Sequence, residues 1–71
     1  MNIKDRIEYT IEIYELADMV FSSKNRIFSW FGSANSLFNG RSATEILAEG
    51  TEEDIEKLKG QLLGIIMGDF S

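Results

Sequence analysis

Residues 3–21, IKDRIEYTIEIYELADMVF, admit two readings, and the choice between them decides the fold. Ile7, Tyr9, Ile11 and Ile13 alternate with Glu8, Thr10 and Glu12, the period-two pattern of a half-buried strand. The same residues also satisfy a helix. Lys4, Glu8, Glu12 and Glu15 fall on one face, while Ile3, Ile7, Ile11, Tyr14 and Phe21 share the opposite side. Length decides, because a run of about eighteen residues without a turn signal outlasts an ordinary strand. Residues 3–21 are therefore expected to form a helix, with a strand over residues 3–14 as the alternative.

Downstream of this segment the chain contains no proline, so its punctuation falls to glycine and serine. Ser23 can cap a short helix over Lys24–Phe31 that carries Ile27, Phe28, Trp30 and Phe31. These four side chains cannot share one face, so some must reach neighbouring helices or stay exposed. Residues 33–40 are too polar and short for more than one turn, and Asn39-Gly40 suits a left-handed stop. A hairpin at Asn39-Gly40 is rejected because its flanks do not alternate. Ser42-Ala43-Thr44-Glu45 fits a capping box, which starts a helix carrying Ile46 and Leu47 into the core until Gly50 ends it. Thr51 then caps a last helix with Glu52, Glu53 and Asp54 in its first turn, where negative charge is favoured. Ile55, Leu58, Leu62, Ile65 and Ile66 supply its apolar stripe. The predicted architecture is an all-α bundle of four to five helices, one domain over residues 1–71.

Gly60, Gly64 and Gly68 recur every fourth residue in this last helix, each at a cost of about 1 kcal/mol relative to alanine. Either their bare face admits a close-packed helix, or the helix frays after Leu63. Gly68 is the expected stop, leaving Asp69-Phe70-Ser71 as a tail.

Composition narrows the chemistry. A chain of 71 residues holds one small core, and 44% hydrophobic residues suffice to pack it. There is no cysteine and no histidine, which removes disulfides, thiolate metal sites, the usual general base and the commonest transition-metal ligand. Twelve acids against seven scattered bases disfavour nucleic acid and suit a basic protein surface. No signal peptide or membrane span is legible, so a cytoplasmic location is expected. The cluster Glu52-Glu53-Asp54 with Glu56 reads as a solvated helix start, since the spacing of a calcium loop is missing. Gly40-Arg41-Ser42 offers helix-start amides to an anion, but without the spacing of a phosphate loop. No catalytic, metal or cofactor site is expected, and the chain reads as a non-enzyme. Trp30, Phe31 and Phe28 form an aromatic cluster that serves either the core or an interface.

The stretch Trp30–Leu47, WFGSANSLFNGRSATEIL, resembles the toxin-binding domain of Xre/ParS-type, MbcA-like antitoxins. That family's pattern runs approximately W-L-x-x-P-N-x-x-L-x-G-x-[ST]-P-x-[DE]-L-L. Trp30, Asn35, Phe38 (in place of Leu), Gly40, Arg41, Ser42, Glu45 and Leu47 fall in register without a gap. Ile66-Met67-Gly68-Asp69-Phe70 looks like the closing I-x-x-G-x-[FY], shifted by one residue at the isoleucine, and Ala17–Phe21 is similar to A-x-x-V-F-G. The resemblance spans roughly Ile11 to Phe70. Ala34, Ser36 and Ala43 stand in place of the family's prolines, permitting the same turns with less rigidity. The helix-turn-helix usual in such antitoxins has no room here, so the toxin-binding part alone is expected.

The resemblance implies a RES-type, NAD-consuming toxin as partner, inhibited by occlusion of its NAD site. It points to Asn35, Gly40 and Arg41 in the loop and to Gly68 and Phe70 at the tail as partner-binding residues. Arg41 can present its planar fork to a partner carboxylate or spend it on an internal salt bridge. Phe70 can anchor in a partner or close the core. Two rivals stand beside this reading: homo-oligomerisation through the Gly60-Gly64-Gly68 face, and a nucleotide-binding role for the Gly40-Arg41-Ser42 amides.

Overall fold

Local capping chemistry sets where the helices begin. In the computed structural model, which describes residues 1–68, α1 (Ile3–Val20) starts at Asn2, whose carboxamide oxygen accepts the Asp5 N–H at 2.8 Å. Helix α2 (Lys24–Gly32) starts at Ser23, which accepts from the Arg26 N–H. A single 3-10 turn covers Ser36–Phe38. Helices α3 (Ala43–Glu49) and α4 (Glu52–Ile66) both begin with reciprocal capping boxes, Ser42 with Glu45 and Thr51 with Asp54. These bonds satisfy amide donors that a helix start otherwise leaves unpaired. The all-α expectation is met by four α-helices, and among the described residues there is no strand, only one isolated bridge between Ala34 and Ser42.

After α1, which ends before Phe21, the helix ends fall at or near glycines. Gly50 closes α3 in an extended conformation rather than a left-handed one, and its requirement is space. A Cβ there would stand 2.6 Å from the Ile46 carbonyl oxygen, the same oxygen that accepts the Gly50 N–H at 2.7 Å. Helix α4 runs unbroken to Ile66, so it does not fray after Leu63, and Gly68 follows it with φ +73°. No atom approaches within 4 Å of a Cβ placed on Gly60, so this glycine is not needed for packing within the chain.

The core is built from one side of each helix. Ile13 and Ala17 of α1, Ile27 of α2, Phe38, Ala43, Ile46 and Leu47 around α3, and Ile55, Leu58 and Leu62 of α4 are buried together. Helix α1 packs chiefly on α4, and α3 touches the other three helices. Tyr14 stacks on Phe31 with ring centroids 6.2 Å apart, and Phe31 meets Trp30 edge-on at 5.1 Å. These three rings are partly buried against the core. Trp30 therefore helps close the core, while Phe28 of the same helix is 60% exposed.

One expectation needs correction. The Ile3–Ile7–Ile11 side of α1 is not the buried side: these residues are 75%, 56% and 54% exposed. The alternating pattern explains it. In a helix, residues two apart diverge while residues four apart align, so the alternation becomes two apolar rows, Ile7–Ile11 and Tyr9–Ile13. Only one row can face the core, and it is the row of Tyr9 and Ile13, with Leu16, Ala17 and Val20 after them. Two polar contacts accompany this choice. Tyr9 donates its hydroxyl to a Glu52 carboxylate at 3.1 Å, and Lys59 pairs with Glu12 at 2.5 Å. Among the described residues no helix is long and apolar enough to cross a membrane.

Candidate functional site

The loop between α2 and α3 is organised by Asn35. Its backbone N–H donates to the Arg41 carbonyl at 3.0 Å, and its own carbonyl accepts from Phe38 and Gly40. Its side-chain oxygen accepts the Leu37 N–H at 3.0 Å, while its amide nitrogen donates to Gln61 Oε1 on α4 at 2.9 Å. Asn35 is 7% exposed, so its polar atoms are spent inside the molecule. A buried carboxamide with these bonds locks loop to helix, since leaving any of them unmade costs free energy.

This lock presents the next residues outward. Asn39 lies in the left-handed region with φ 55°, as its position before Gly40 predicted, and Gly40 follows at φ +91°. Two successive positive values turn the chain sharply, and a side chain at Gly40 would strain it. Arg41 emerges with its side chain 43% exposed, and its guanidinium stands 4.0 Å from Glu49, the outer limit of an ion pair. With exposed Leu37 and with Asp54 and Lys57 of α4, Arg41 lines a shallow depression of about 340 Å³. The structure thus brings Asn35, Gly40 and Arg41 together, Asn35 as the internal support and the other two at the surface. Gly68 lies past the end of α4, two residues after Ile66, and Phe70 falls outside the described residues.

The start of α3 is already occupied by the chain itself. Ser42 accepts the Glu45 N–H at 3.2 Å, and the Glu45 carboxylate approaches the Ser42 N–H and hydroxyl at 3.5 and 3.4 Å. An incoming phosphate would have to displace this carboxylate, which weighs against the anion site considered for Gly40-Arg41-Ser42. The acidic first turn of α4 is likewise engaged, with Asp54 accepting the Thr51 N–H at 3.1 Å. Among the described residues no group of three potential ligands is placed to hold a metal ion.

A second concavity, of about 420 Å³, lies between α1 and α3, where Ile3 and Ile7 face Phe31, Leu47 and Ala48. Its signal was present in the alternation of residues 7–13, which on a helix leaves a second apolar row to be covered. Compared with family models, with curated proteins and with solved structures, the chain finds no match in any of the three.

Proposed function

We propose that this chain is a protein-binding module without chemistry of its own. By its resemblance to the MbcA-like antitoxins it would act in the cytoplasm on a RES-type toxin, blocking the toxin's NAD site by steric occlusion. The observation that carries this reading is the Gly40–Arg41 corner, braced from beneath by the Asn35–Gln61 hydrogen bond while the Arg41 guanidinium stands at the outer limit of an ion pair with Glu49. A pre-organised, partly exposed arginine is suited to pair with a partner carboxylate, because little further ordering is needed on binding.

The test is co-expression with a RES-type toxin encoded beside this chain, following growth and cellular NAD. Rescue by the wild type, lost in Arg41→Ala with the variant still folded, supports occlusion through this corner. Collapse of growth and NAD while both proteins are soluble removes the toxin-neutralising reading. Truncation after Met67 separately tests the tail.

Homo-oligomerisation through α4 is the second reading. It is favoured by the open surface over Gly60 and by the exposure of Ile65, Ile66 and Met67 at the end of that helix. A mass measured in solution separates it from a monomeric inhibitor.

A further inference from the structure

We propose that Asn39 is a deamidation site gated by the fold: the α2–α3 turn holds the Asn39-Gly40 pair in an unreactive geometry, and local opening of that loop releases it. This inference stands whether or not the Gly40–Arg41 corner binds a toxin.

The chemistry needs two adjacent residues and water. A main-chain nitrogen that has lost its proton to base attacks the side-chain Cγ of the asparagine before it. A bond forms between that nitrogen and Cγ, the Cγ–NH2 bond breaks, and the amide group takes up a proton and leaves as ammonia. The product is a five-membered imide. Water then opens it at one of its two carbonyls, giving aspartate or isoaspartate, and no electrons are exchanged. Of the four asparagines, Asn39 alone precedes a glycine; Asn2, Asn25 and Asn35 precede Ile3, Arg26 and Ser36. A side chain on the following residue crowds the attacking nitrogen, and glycine has none. Asn25 also lies within α2, and the buried Asn35 side chain is bound to Gln61, whereas Asn39 is exposed.

The turn blocks this reaction in two ways. Ring closure requires the Asn39 Cβ and the Gly40 nitrogen to lie on the same side of the Asn39 Cα–C bond. At φ 55° and ψ 39° they stand nearly opposite each other across it, so the nitrogen is turned away from Cγ. The Gly40 N–H also donates to the Asn35 carbonyl at 3.2 Å, which retains the proton that the attack must remove. Both blocks end when the loop opens and Asn39 is free to rotate. Asn35 anchors that loop through its side-chain bonds to Leu37 and Gln61.

The modification changes the surface on which it occurs. Asn39 lines the depression of about 340 Å³ together with Arg41, Lys57 and Asp54. Its two bases outnumber its one acid, and a carboxylate at position 39 cancels the excess. Isoaspartate further lengthens the main chain by one atom, within the turn that the Gly40–Asn35 bond closes.

The test incubates the full chain in mildly alkaline buffer, folded and in denaturing urea, and follows each asparagine by peptide mass spectrometry. Conversion is expected first at Asn39, and roughly tenfold or more slower in the folded chain than in urea. Asn35→Ala leaves the carbonyl that accepts from Gly40 in place but loosens the loop, so it should raise the folded-state rate. Gln61→Ala is a second loosening variant should Asn35→Ala unfold, and circular dichroism checks both. Urea too dilute to unfold the chain should leave the rate nearly unchanged, because a local opening exposes little surface. The proposal is overturned if Asn39 converts as fast folded as unfolded, or if another asparagine converts first. It is equally overturned if the loosened, folded variants convert no faster than wild type. A rate that climbs steeply with dilute urea would assign the opening to global unfolding and remove the loop as the gate.

Discussion

Asn35 and Gln61 are joined side chain to side chain across 26 residues of sequence, Nδ2 to Oε1 at 2.9 Å. This bond ties the α2–α3 loop to the middle of α4, and the other end of the same carboxamide holds the Leu37 amide. Asn35→Ala leaves both partners short of a bond in a part-buried setting, and is expected to cost about 1–3 kcal/mol. Urea unfolding measures it. If the bond to Gln61 carries part of that loss, Gln61→Ala should cost less when Asn35 is already replaced. An additive double variant would show that the two side chains are not coupled.

The burial of α1 makes a second prediction that separates two isoleucines only two residues apart. Ile13 is fully buried, whereas Ile11 is 54% exposed. Ile13→Ala is expected to cost about 2–5 kcal/mol, a large share of what a domain this small can hold. Ile11→Ala should stay within about 0.5 kcal/mol of wild type. The reverse order in thermal melts would mean that the other apolar row faces the core.

Two glycines should respond in opposite directions. Gly60→Ala places a methyl in open space within a helix and is expected to stabilise by about 0.5–1 kcal/mol. Gly50→Ala drives its methyl to 2.6 Å from the Ile46 carbonyl oxygen, so α3 must shift. A cost of about 1–3 kcal/mol is expected. Denaturant midpoints of the two variants, measured side by side, check the pair.

Alkaline pH should loosen α1 from α4. The Tyr9 hydroxyl titrates above its ordinary 10.0, chiefly because it donates to Glu52. The Lys59 ammonium titrates above its ordinary 10.5, chiefly through its hydrogen bond to Glu12. Each group holds its proton more tightly folded than unfolded. Their contribution is therefore fully present below the unfolded values and is lost as pH rises through the folded ones. The melting temperature of the wild type should fall above about pH 10, and more steeply than that of a Tyr9→Phe, Lys59→Met variant. Parallel curves would show that these contacts carry no linkage.

The α2–α3 turn was partly legible in advance. Gly40 and Arg41 stand at the surface because a left-handed Asn-Gly turn is written in two adjacent residues. Asn35 belongs to the same motif yet points inward to Gln61, and no local pattern announces that pairing. The groove between α1 and α3 was not legible either. Its two walls lie far apart in sequence, with Arg6 and Leu47 meeting at a separation of 41 residues.

The sequence by itself determined where the helices begin and end. Ser23, Ser42 and Thr51 cap through bonds that reach only three residues, and Gly50 and Gly68 stop their helices through local backbone geometry. Only the tertiary structure decided which apolar row of α1 would be buried. Both rows offer comparable hydrocarbon, so periodicity cannot choose between them. In the folded chain Tyr9 and Glu12 meet Glu52 and Lys59 of α4 while the Ile3–Ile7–Ile11 row faces outward.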